Sequence, residues 1–239
     1  MIIFPAIDIK DGKCVRLLRG DFGTAVKVAD SYMDTARSFM KAGAQWIHMV
    51  DLDGAKNGED KSNRDIFLEV AKNISCKVQV GGGIRTLENV ETYLNGGVSR
   101  VIIGSVAVKN PDLVKTAVRE YGEKRVAVGI DAKNGFVATD GWLETSAVFY
   151  IELAVEMCKA GVRYFVFTDI DKDGTLSRPN HGKTKRLQNE VGVFGGKIIA
   201  SGGIKTLSSI KTLKKNNIYG AICGKSLYSG TLDLRKAIN

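Results

Sequence analysis

Short apolar runs alternate along the chain with longer amphipathic stretches. The runs are rich in valine and isoleucine, as expected of strands that are buried on both faces. They predict strands over 2–8, 45–51, 77–81, 100–104, 125–131, 163–169, 197–201 and 219–223. The stretches between and after them show helical periodicity. They predict helices over 31–42, 64–73, 86–96, 111–121, 146–160, 182–191, 206–216 and 231–238.

The ends of the predicted helices carry residue types that start and stop helices. Thr86 and Thr206 are predicted N-caps, and Pro111 suits the first position of its helix. Gly43 and Gly161 follow predicted helix ends, where a left-handed residue is common. A strand followed by a helix, repeated eight times, predicts an α/β protein with a (β/α)8 TIM barrel.

An open doubly wound sheet is the competing architecture. Its GxGxxG fingerprint is missing after the first strand, where the chain reads DIKDGKCVRLLRGDFG. Two further segments, 13–18 and 136–139, predict extra hairpin strands after the first and fifth barrel strands. No linker or change of composition interrupts the 239 residues, so we expect a single domain.

One glycine and aspartate pattern occurs twice. QVGGGIRT (79–86) returns as ASGGIKT (200–206), and IIGS (102–105) returns as ICGKS (222–226). The offset is 120 residues for Gly82 and Gly202 and for Gly104 and Gly224, and the aspartate pairs Asp8 and Asp131, and Asp51 and Asp169, follow nearly the same spacing. Such self-similarity indicates an internal twofold duplication into half-barrels, here about 1–122 and 123–239.

The repeated glycines follow barrel strands at the end where barrels hold their active sites. Glycine lets backbone N–H groups approach an anion closely, and a helix N-terminus adds a positive end. The predicted phosphate-binding residues are Gly82, Gly83, Gly104 and Ser105 on one side, and Gly202, Gly203, Gly224, Lys225 and Ser226 on the other. The two groups lie opposite each other in a ring of eight, so we expect a small ligand with a phosphate at each end. The alternative is that these glycines only serve tight turns.

Two aspartates also face each other across the ring, since Asp8 ends the first predicted strand and Asp131 the fifth. Facing carboxylates suit general acid–base chemistry, in which one donates a proton and the other removes one. The alternative is that they cap loops or pair with Lys10 and Lys133. Thr168, near the end of the sixth strand, could hydrogen-bond the acid or the substrate, or could serve a cap or turn.

No metal site is predicted. The two histidines, His48 and His181, are far apart in sequence, and the cysteines at 14, 76, 158 and 223 lack metal-like spacing. His48 is predicted to be either a polar residue lining the barrel near the site or a packed strand histidine.

The bulk properties narrow the class of protein. No apolar run approaches ~18 residues, so we expect no membrane span. The N-terminal MIIFPAIDIKDG predicts a buried strand rather than a signal peptide, which indicates a cytoplasmic protein with reduced cysteines. The net charge is +9, but the basic residues are scattered. This favours attraction of a small anionic substrate over nucleic-acid binding.

A set of motifs occurs in the order PAID (5–8), VDLDGAK (50–56), QVGGGIRT (79–86), VIIGSVAV (101–108), GIDAKNG (129–135), GW (141–142), TDIDKDGT (168–175) and SGGI (201–204). From residue 1 to about 230, this set resembles the phosphoribosylformimino-aminoimidazole carboxamide ribotide (ProFAR) isomerase family of histidine biosynthesis. The resemblance implies an Amadori rearrangement without metal or cofactor. That reaction converts a bisphosphorylated aminoaldose, ProFAR, into an aminoketose, PRFAR. The family is often monomeric, and we expect a monomer here.

The resemblance also implies roles for individual residues. Asp8 would be the general base that takes the proton from C2, Asp131 the general acid that assists ring opening, and Thr168 the residue that orients it. Trp142 matches a tryptophan that lies against the aminoimidazole in related enzymes, with loop packing as the alternative. The first loop, which is expected to close over the ligand, contains Arg19 and Gly20. The motifs further assign substrate contacts to His48, Asp51, Arg85 and Asp173.

Three other functions stay open at this point. The cyclase subunit of imidazole glycerol phosphate synthase is a sister barrel, but its first strand typically reads Pro-Cys-Leu-Asp, and this chain has PAID at 5–8. A dual isomerase would act on phosphoribosylanthranilate as well. A non-catalytic barrel that binds phosphate or nucleic acid would not need Asp8 and Asp131. Lys225 stands where the family often has arginine, and a lysine is expected to hold a phosphate more loosely.

Overall fold

A computed structural model describes residues 1–58 and 62–239. Its strands are β1 (Ile2–Lys10), β2 (Lys13–Leu18), β3 (Asp21–Ala29), β4 (Trp46–Asp51), β5 (Lys77–Gly81), β6 (Arg100–Ile103), β7 (Val126–Lys133), β8 (Phe136–Thr139), β9 (Glu144–Phe149), β10 (Tyr164–Asp169), β11 (Lys197–Ser201) and β12 (Gly220–Cys223). Eight of these strands pair in parallel in the order β1, β4, β5, β6, β7, β10, β11, β12, and β12 returns to β1. The predicted (β/α)8 barrel is therefore confirmed.

Helices connect the barrel strands and cover their outer faces. They are α1 (Tyr32–Lys41), α2 (Leu52–Asn57), α3 (Arg64–Asn73), α4 (Leu87–Asn95), α5 (Val106–Lys109), α6 (Pro111–Tyr121), α7 (Tyr150–Lys159), α8 (His181–Gly192), α9 (Leu207–Lys215), α10 (Lys225–Tyr228) and α11 (Leu234–Ile238), with a 3-10 turn at Ile170–Lys172. The hydroxyls of Thr86 and Thr206 cap α4 and α9, as predicted. Pro111 is the first residue of α6, as predicted. None of the helices in the described ranges has the length and apolarity needed to cross a bilayer.

Two antiparallel hairpins extend the barrel strands β1 and β7. The predicted hairpin strands 13–18 and 136–139 are confirmed as β2 and β8. The prediction of a helix from residue 146 was wrong for 146–149, because these residues belong to β9, which pairs with β8. The hydroxyl of Ser146 donates to the carbonyl of Val137, and the ring of Phe149 packs against Phe136. These tertiary contacts outweigh the local helical pattern.

The core has two parts. A large cluster lies between the helices and the outside of the barrel. A smaller cluster fills the barrel with inward side chains, namely Phe4, Ala6, Trp46, Ile102, Ala127, Tyr164, Val166, Ile199 and Ile222. Successive residues of a strand point to opposite faces, so Ala6 and Asp8 both face inward. The apolar filling of the barrel thus ends where the polar residues of its mouth begin.

Candidate active site

A central cavity of about 210 Å³ opens at the carboxyl ends of the barrel strands. A side cavity of about 30 Å³ adjoins it on the β11 and β12 side. The two cavities share Arg16, Asp173, Ser201 and Ile222 in their walls. One continuous groove therefore runs across the mouth of the barrel.

Asp8 lies on β1 in the wall of the central cavity and forms an ion pair with Arg16. The guanidinium Nη1 of Arg16 is 2.6 Å from Oδ2 of Asp8, and both side chains are mostly buried. Burial raises the pKa of Asp8 to about 6, although the charge of Arg16 lowers it and that of Asp173 raises it further. At neutral pH Asp8 is therefore mostly ionised but close to its titration range.

Asp131 lies on β7, four strands around the ring from Asp8. The indole Nε1–H of Trp142 donates to Oδ2 of Asp131 at 2.8 Å, and Thr168, its neighbour in the β7–β10 register, is a second hydrogen-bond partner. Burial raises the pKa of Asp131, and these two hydrogen bonds oppose the rise. The carboxyl group is thus held in one orientation at the wall of the central cavity.

Asp173 is a third carboxyl group in the groove, and it borders both cavities. Burial raises its pKa, while the charges of Arg16 and Lys225 and the backbone N–H of Gly174 lower it. Its charge in turn raises the pKa of both other aspartates. The site therefore couples three carboxyl groups rather than the predicted two.

The first group of glycines borders the central cavity at β5 and β6, together with Ser105 and Arg85. Gly82 has φ +95°, and a Cβ there would lie 2.1 Å from the backbone oxygen of Asp51. Gly83 is similarly confined by the backbone of residue 54. Only glycine fits these positions, so the backbone itself forms this part of the wall.

The carboxylate of Asp140 lies beside the first group of glycines, close to Ser105 and Arg85. Oδ2 of Asp140 forms an ion pair with Nζ of Lys109 at 2.5 Å, and Oδ1 of Asp140 lies 3.9 Å from Nη2 of Arg85. Its backbone N–H donates to Oγ of Ser105 at 2.9 Å. The hydrogen bond from Lys109, above all, lowers the pKa of Asp140. We call the first group of glycines, together with Ser105, the first cradle, and the second group, together with Lys225 and Ser226, the second cradle. Asp140, on the β8–β9 turn, therefore partly neutralises the charges of Lys109 and Arg85 beside the first cradle.

The second group of glycines borders the side cavity and lies on the opposite side of the ring. Its wall contains Gly202, Gly203, Gly224, Lys225 and Ser226. The Nε of Arg16 and the Oγ of Ser226 are both buried there and have no hydrogen-bond partner among the described residues. A donor and a hydroxyl that lack partners in a polar cavity suit an anionic oxygen ligand.

His48 lies on β4 in the wall of the central cavity. Its Nδ1 is 3.0 Å from Nε2 of Gln79. Burial, aided by the charge of Arg16, lowers the pKa of His48 to about 3. The imidazole is therefore neutral at physiological pH. Its place in the cavity wall agrees with one of the two predicted positions, and its 8% exposure and its contact with Gln79 agree with the other, so a substrate contact of His48 stays a prediction.

Two predicted contact residues lie outside both cavities. Asp51 is buried beneath the first cradle, where its carboxylate accepts hydrogen bonds from the backbone N–H of Gly54 and the side chain of Asn63. Arg19 is exposed on the β2–β3 turn, and its backbone N–H donates to the carbonyl of Asp173. A substrate contact for either residue stays a prediction.

The first hairpin does reach the site through other residues. Gly20 borders the central cavity, and a Cβ at this position would meet the Trp142 ring at 2.1 Å. Trp142 itself has φ +71°, a rare conformation for a bulky residue. The turns of the two hairpins therefore meet over the cavity through a glycine–tryptophan contact.

Sequence reasoning missed Arg16, although it touches more of the site than Arg19. An available signal was its place on the predicted hairpin strand 13–18 after β1, where Val15, the residue before Arg16, stands opposite Asp8 in the β1–β2 register. Sequence reasoning also missed Gln79 as a partner of His48, which the shared β4–β5 register explains.

Residues 2–233 match a family model described as histidine biosynthesis protein. The chain is 51% identical over 238 residues to the 1-(5-phosphoribosyl)-5-((5-phosphoribosylamino)methylideneamino)imidazole-4-carboxamide isomerase of Clostridium kluyveri, covering 100% of this chain and 98% of that protein. It is 50% identical to the isomerase of the same name from Streptococcus thermophilus, over 98% of this chain and 97% of that protein. The chain belongs to the histidine biosynthesis protein family.

Proposed function

We propose that this protein is the ProFAR isomerase of histidine biosynthesis, an intramolecular oxidoreductase that converts the aminoaldose ProFAR into the aminoketose PRFAR. The observation that carries the proposal is the groove: Asp8 and Asp131 flank the central cavity from opposite strands, with a glycine-lined cradle at either end. A substrate with a phosphate on each of its two sugars matches this arrangement. The full-length relatives named for this reaction support it.

The reaction needs a proton donor and a proton acceptor in turn. Protonation of the ring oxygen opens the aminoaldose to an imine, and loss of the C2 proton then gives the enolamine that tautomerises to the ketose. Asp8 acts as the base, because its pKa of about 6 leaves it mostly ionised at neutral pH. Asp131, oriented by Thr168, acts as the acid. Each proton transfer of this kind accelerates a reaction by roughly 10²- to 10⁴-fold.

Asp173 is a second candidate for the acid. Trp142 and Thr168 both stabilise the ionised form of Asp131, which makes its proton harder to retain. Asp173 borders both cavities, and burial raises its pKa as well. If Asp131 is the acid, Asp131→Asn should abolish ring opening. If Asp173 is the acid, Asp173→Asn should abolish it.

The two cradles position the substrate so that the reacting carbon lies between the carboxyl groups. Gly82, Gly83, Gly104 and Ser105, with Arg85, would hold one phosphate, and Gly202, Gly203, Gly224, Lys225 and Ser226 the other. The orphaned donor of Arg16 and the hydroxyl of Ser226 support the second cradle. Such anchoring lowers the entropy cost of reaching the reactive geometry.

An absorbance assay with ProFAR and phosphoribosylanthranilate, run side by side, tests the function. Wild-type protein should convert ProFAR. Asp8→Asn should lose turnover by about 10³-fold or more while the dissociation constant for ProFAR stays within a few-fold, because the phosphate grips remain. Turnover of phosphoribosylanthranilate as well would make the enzyme a dual isomerase. Cyclase activity with a glutaminase partner, or loss of binding together with turnover, would contradict the proposal.

Comparing Asp131→Asn with Asp173→Asn under the same assay assigns the acid. The variant of the true acid should lose turnover nearly as completely as Asp8→Asn, and the other should retain a measurable rate. Equal, mild losses in both would contradict a single-acid mechanism.

We propose further that the protein is one domain assembled from two equivalent halves, about 1–122 and 123–239. The buried carboxylate of Asp51 is bonded by the amide of Asn63, and that of Asp169 by the amide of Asn180, at matching places in the two halves. Both halves also carry a hairpin after their first strand. We expect the protein to act as a monomer in the cytoplasm, without nucleic acid or membrane.

A further inference from the structure

Three buried polar side chains form a row across neighbouring strands inside the barrel. His48 on β4 stands in register with Gln79 on β5, and Gln79 stands in register with Arg100 on β6. Nη1 of Arg100 lies 3.2 Å from Oε1 of Gln79, and Nε2 of Gln79 lies 3.0 Å from Nδ1 of His48. The exposed fractions are 2% for Arg100, 0% for Gln79 and 8% for His48. The row thus links the barrel interior to the wall of the central cavity.

Contacts on several sides fix the guanidinium of Arg100 in this row. Its guanidinium carbon lies 4.4 Å from the Trp46 ring and 3.9 Å from the Tyr164 ring. Its Nε donates to the carbonyl of Lys124 at 3.0 Å. A guanidinium held between two rings and tied to the backbone presents a fixed donor to Gln79.

The direction of each hydrogen bond follows from the chemistry of the groups. A guanidinium only donates, so the atom of Gln79 that faces Arg100 is its carbonyl oxygen. The other end of the amide is then an NH₂ group, which also only donates. Nδ1 of His48 must accept that hydrogen bond, and in a neutral ring the proton then resides on Nε2. The low pKa of His48, about 3, keeps the ring neutral.

We propose that Arg100 and Gln79 are positioning residues that fix His48 in its Nε2-protonated tautomer, so that the ring offers an N–H donor to an oxygen atom of the substrate in the central cavity. The identity of that substrate rests on the proposed function, whereas the tautomer does not. A sugar phosphate presents hydroxyl, ring and phosphate oxygens that accept such a bond. The other tautomer would turn a lone pair towards them.

Nitrogen-15 NMR of the histidine side chains tests the tautomer directly. The chain has only two histidines, and a spectrum of His181→Gln assigns the remaining signals to His48. In the wild-type protein, the His48 signals should show a protonated Nε2 and an unprotonated Nδ1 throughout pH 5 to 8. A proton on Nδ1 would overturn the proposal.

Gln79→Glu replaces the amide NH₂ group that donates to His48 with a carboxylate oxygen that accepts a hydrogen bond. The shape of the side chain changes little. The new carboxylate accepts from Arg100 and also accepts from His48, so the proton of the neutral ring should move from Nε2 to Nδ1. The loss of a correctly directed donor should lower kcat/KM for ProFAR by about tenfold. Arg100→Met, which frees the amide of Gln79 to flip, should give a mixture of both tautomers.

Gln45→Glu is the matched control, because it makes the same chemical change at an exposed position next to β4. It should leave the His48 spectrum and kcat/KM unchanged. An unchanged spectrum in Gln79→Glu, or a reversed tautomer with unchanged kcat/KM, would overturn the proposal. If the wild-type protein shows the expected tautomer but does not convert ProFAR, the positioning of His48 stands and the proposed function fails.

Discussion

The ion pair between Arg16 and Asp8 makes the acid side of the pH profile a sensitive probe of the site. With a pKa of about 6, about nine tenths of Asp8 is ionised at pH 7. The positive charge of Arg16 favours that ionised form, and its guanidinium is only 2.6 Å away. Arg16→Met removes the charge but keeps an unbranched side chain of similar length. The pKa of Asp8 should therefore rise.

An opposite charge this close typically shifts a carboxyl pKa by about one to three units. A rise of one unit would leave about half of Asp8 ionised at pH 7, and a rise of two units about one tenth. A base is active when deprotonated, so the acid limb of kcat/KM should move from near pH 6 to pH 7 or above. The part of the activity that is lost through protonation of Asp8 should return at pH 9, whereas any loss that comes from the missing Arg16 donor in the second cradle should be the same at every pH.

The other groups near Asp8 should not blur this result. Burial raises the pKa of Cys14 to about 11 and also raises that of Tyr228, so both stay neutral over the range. Asp173 is the exception, because its charge raises the pKa of Asp8 and the charge of Arg16 lowers its own pKa, so Arg16→Met should raise the pKa of both carboxyl groups. The assay is kcat/KM for ProFAR between pH 5 and 9, since this quantity reports the free enzyme.

Arg16→Lys is the control, because it keeps the positive charge and should leave the acid limb near pH 6. Circular dichroism at both ends of the pH range checks that each variant stays folded. The reasoning is refuted if Arg16→Met leaves the acid limb in place or moves it to lower pH.

Three further changes test other parts of the site. Asp140→Asn should lower the KM for ProFAR by about two- to fivefold at low salt, because a partly exposed ion pair no longer competes for the cationic groups; a higher KM would contradict this. Trp142→Phe removes an N–H donor to Asp131, so the pKa of Asp131 should rise and any limb of the kcat profile that reports it should move to higher pH; an unmoved limb would argue against this acid. Gly82→Ala should lower the free energy of unfolding in urea by about 2 kcal/mol or more, since it combines φ +95° with a backbone clash; equal stability would show that the loop relaxes.

Local signals explain which parts of the fold were predictable. Buried strands, threonine caps and the first residue of α6 depend on residues close in sequence, and all were found. The start of α7 was not, because the strand pairing of Ser146 and Phe149 depends on a partner hairpin. Helical periodicity alone could not reveal that partner.

The residues of the site also divide into those that a local sequence pattern could predict and those that it could not. Glycine loops and strand-end aspartates occur twice in the sequence, so the glycine-lined walls of the two cavities and the facing positions of Asp8 and Asp131 could be predicted. Arg16, Gln79 and Arg100 leave no motif of their own, because their importance comes from the neighbour that the sheet register gives them. For Gln79 and Arg100, an inward-facing polar residue on a predicted strand was the available signal.

The hairpins that continue β1 and β7 have two parts with different tasks. The paired strands hold an aspartate in place, and the tips form part of the cavity wall. Asp8 is flanked by paired neighbours on both sides, Val15 on β2 and Val50 on β4, so sheet hydrogen bonds hold its backbone rigidly. The tips of the same hairpins project beyond the sheet and carry Gly20 and Trp142. Laboratory evolution could therefore change the length and the side chains of these tips, and with them the shape of the cavity, while the paired backbone that holds Asp8 stays as it is.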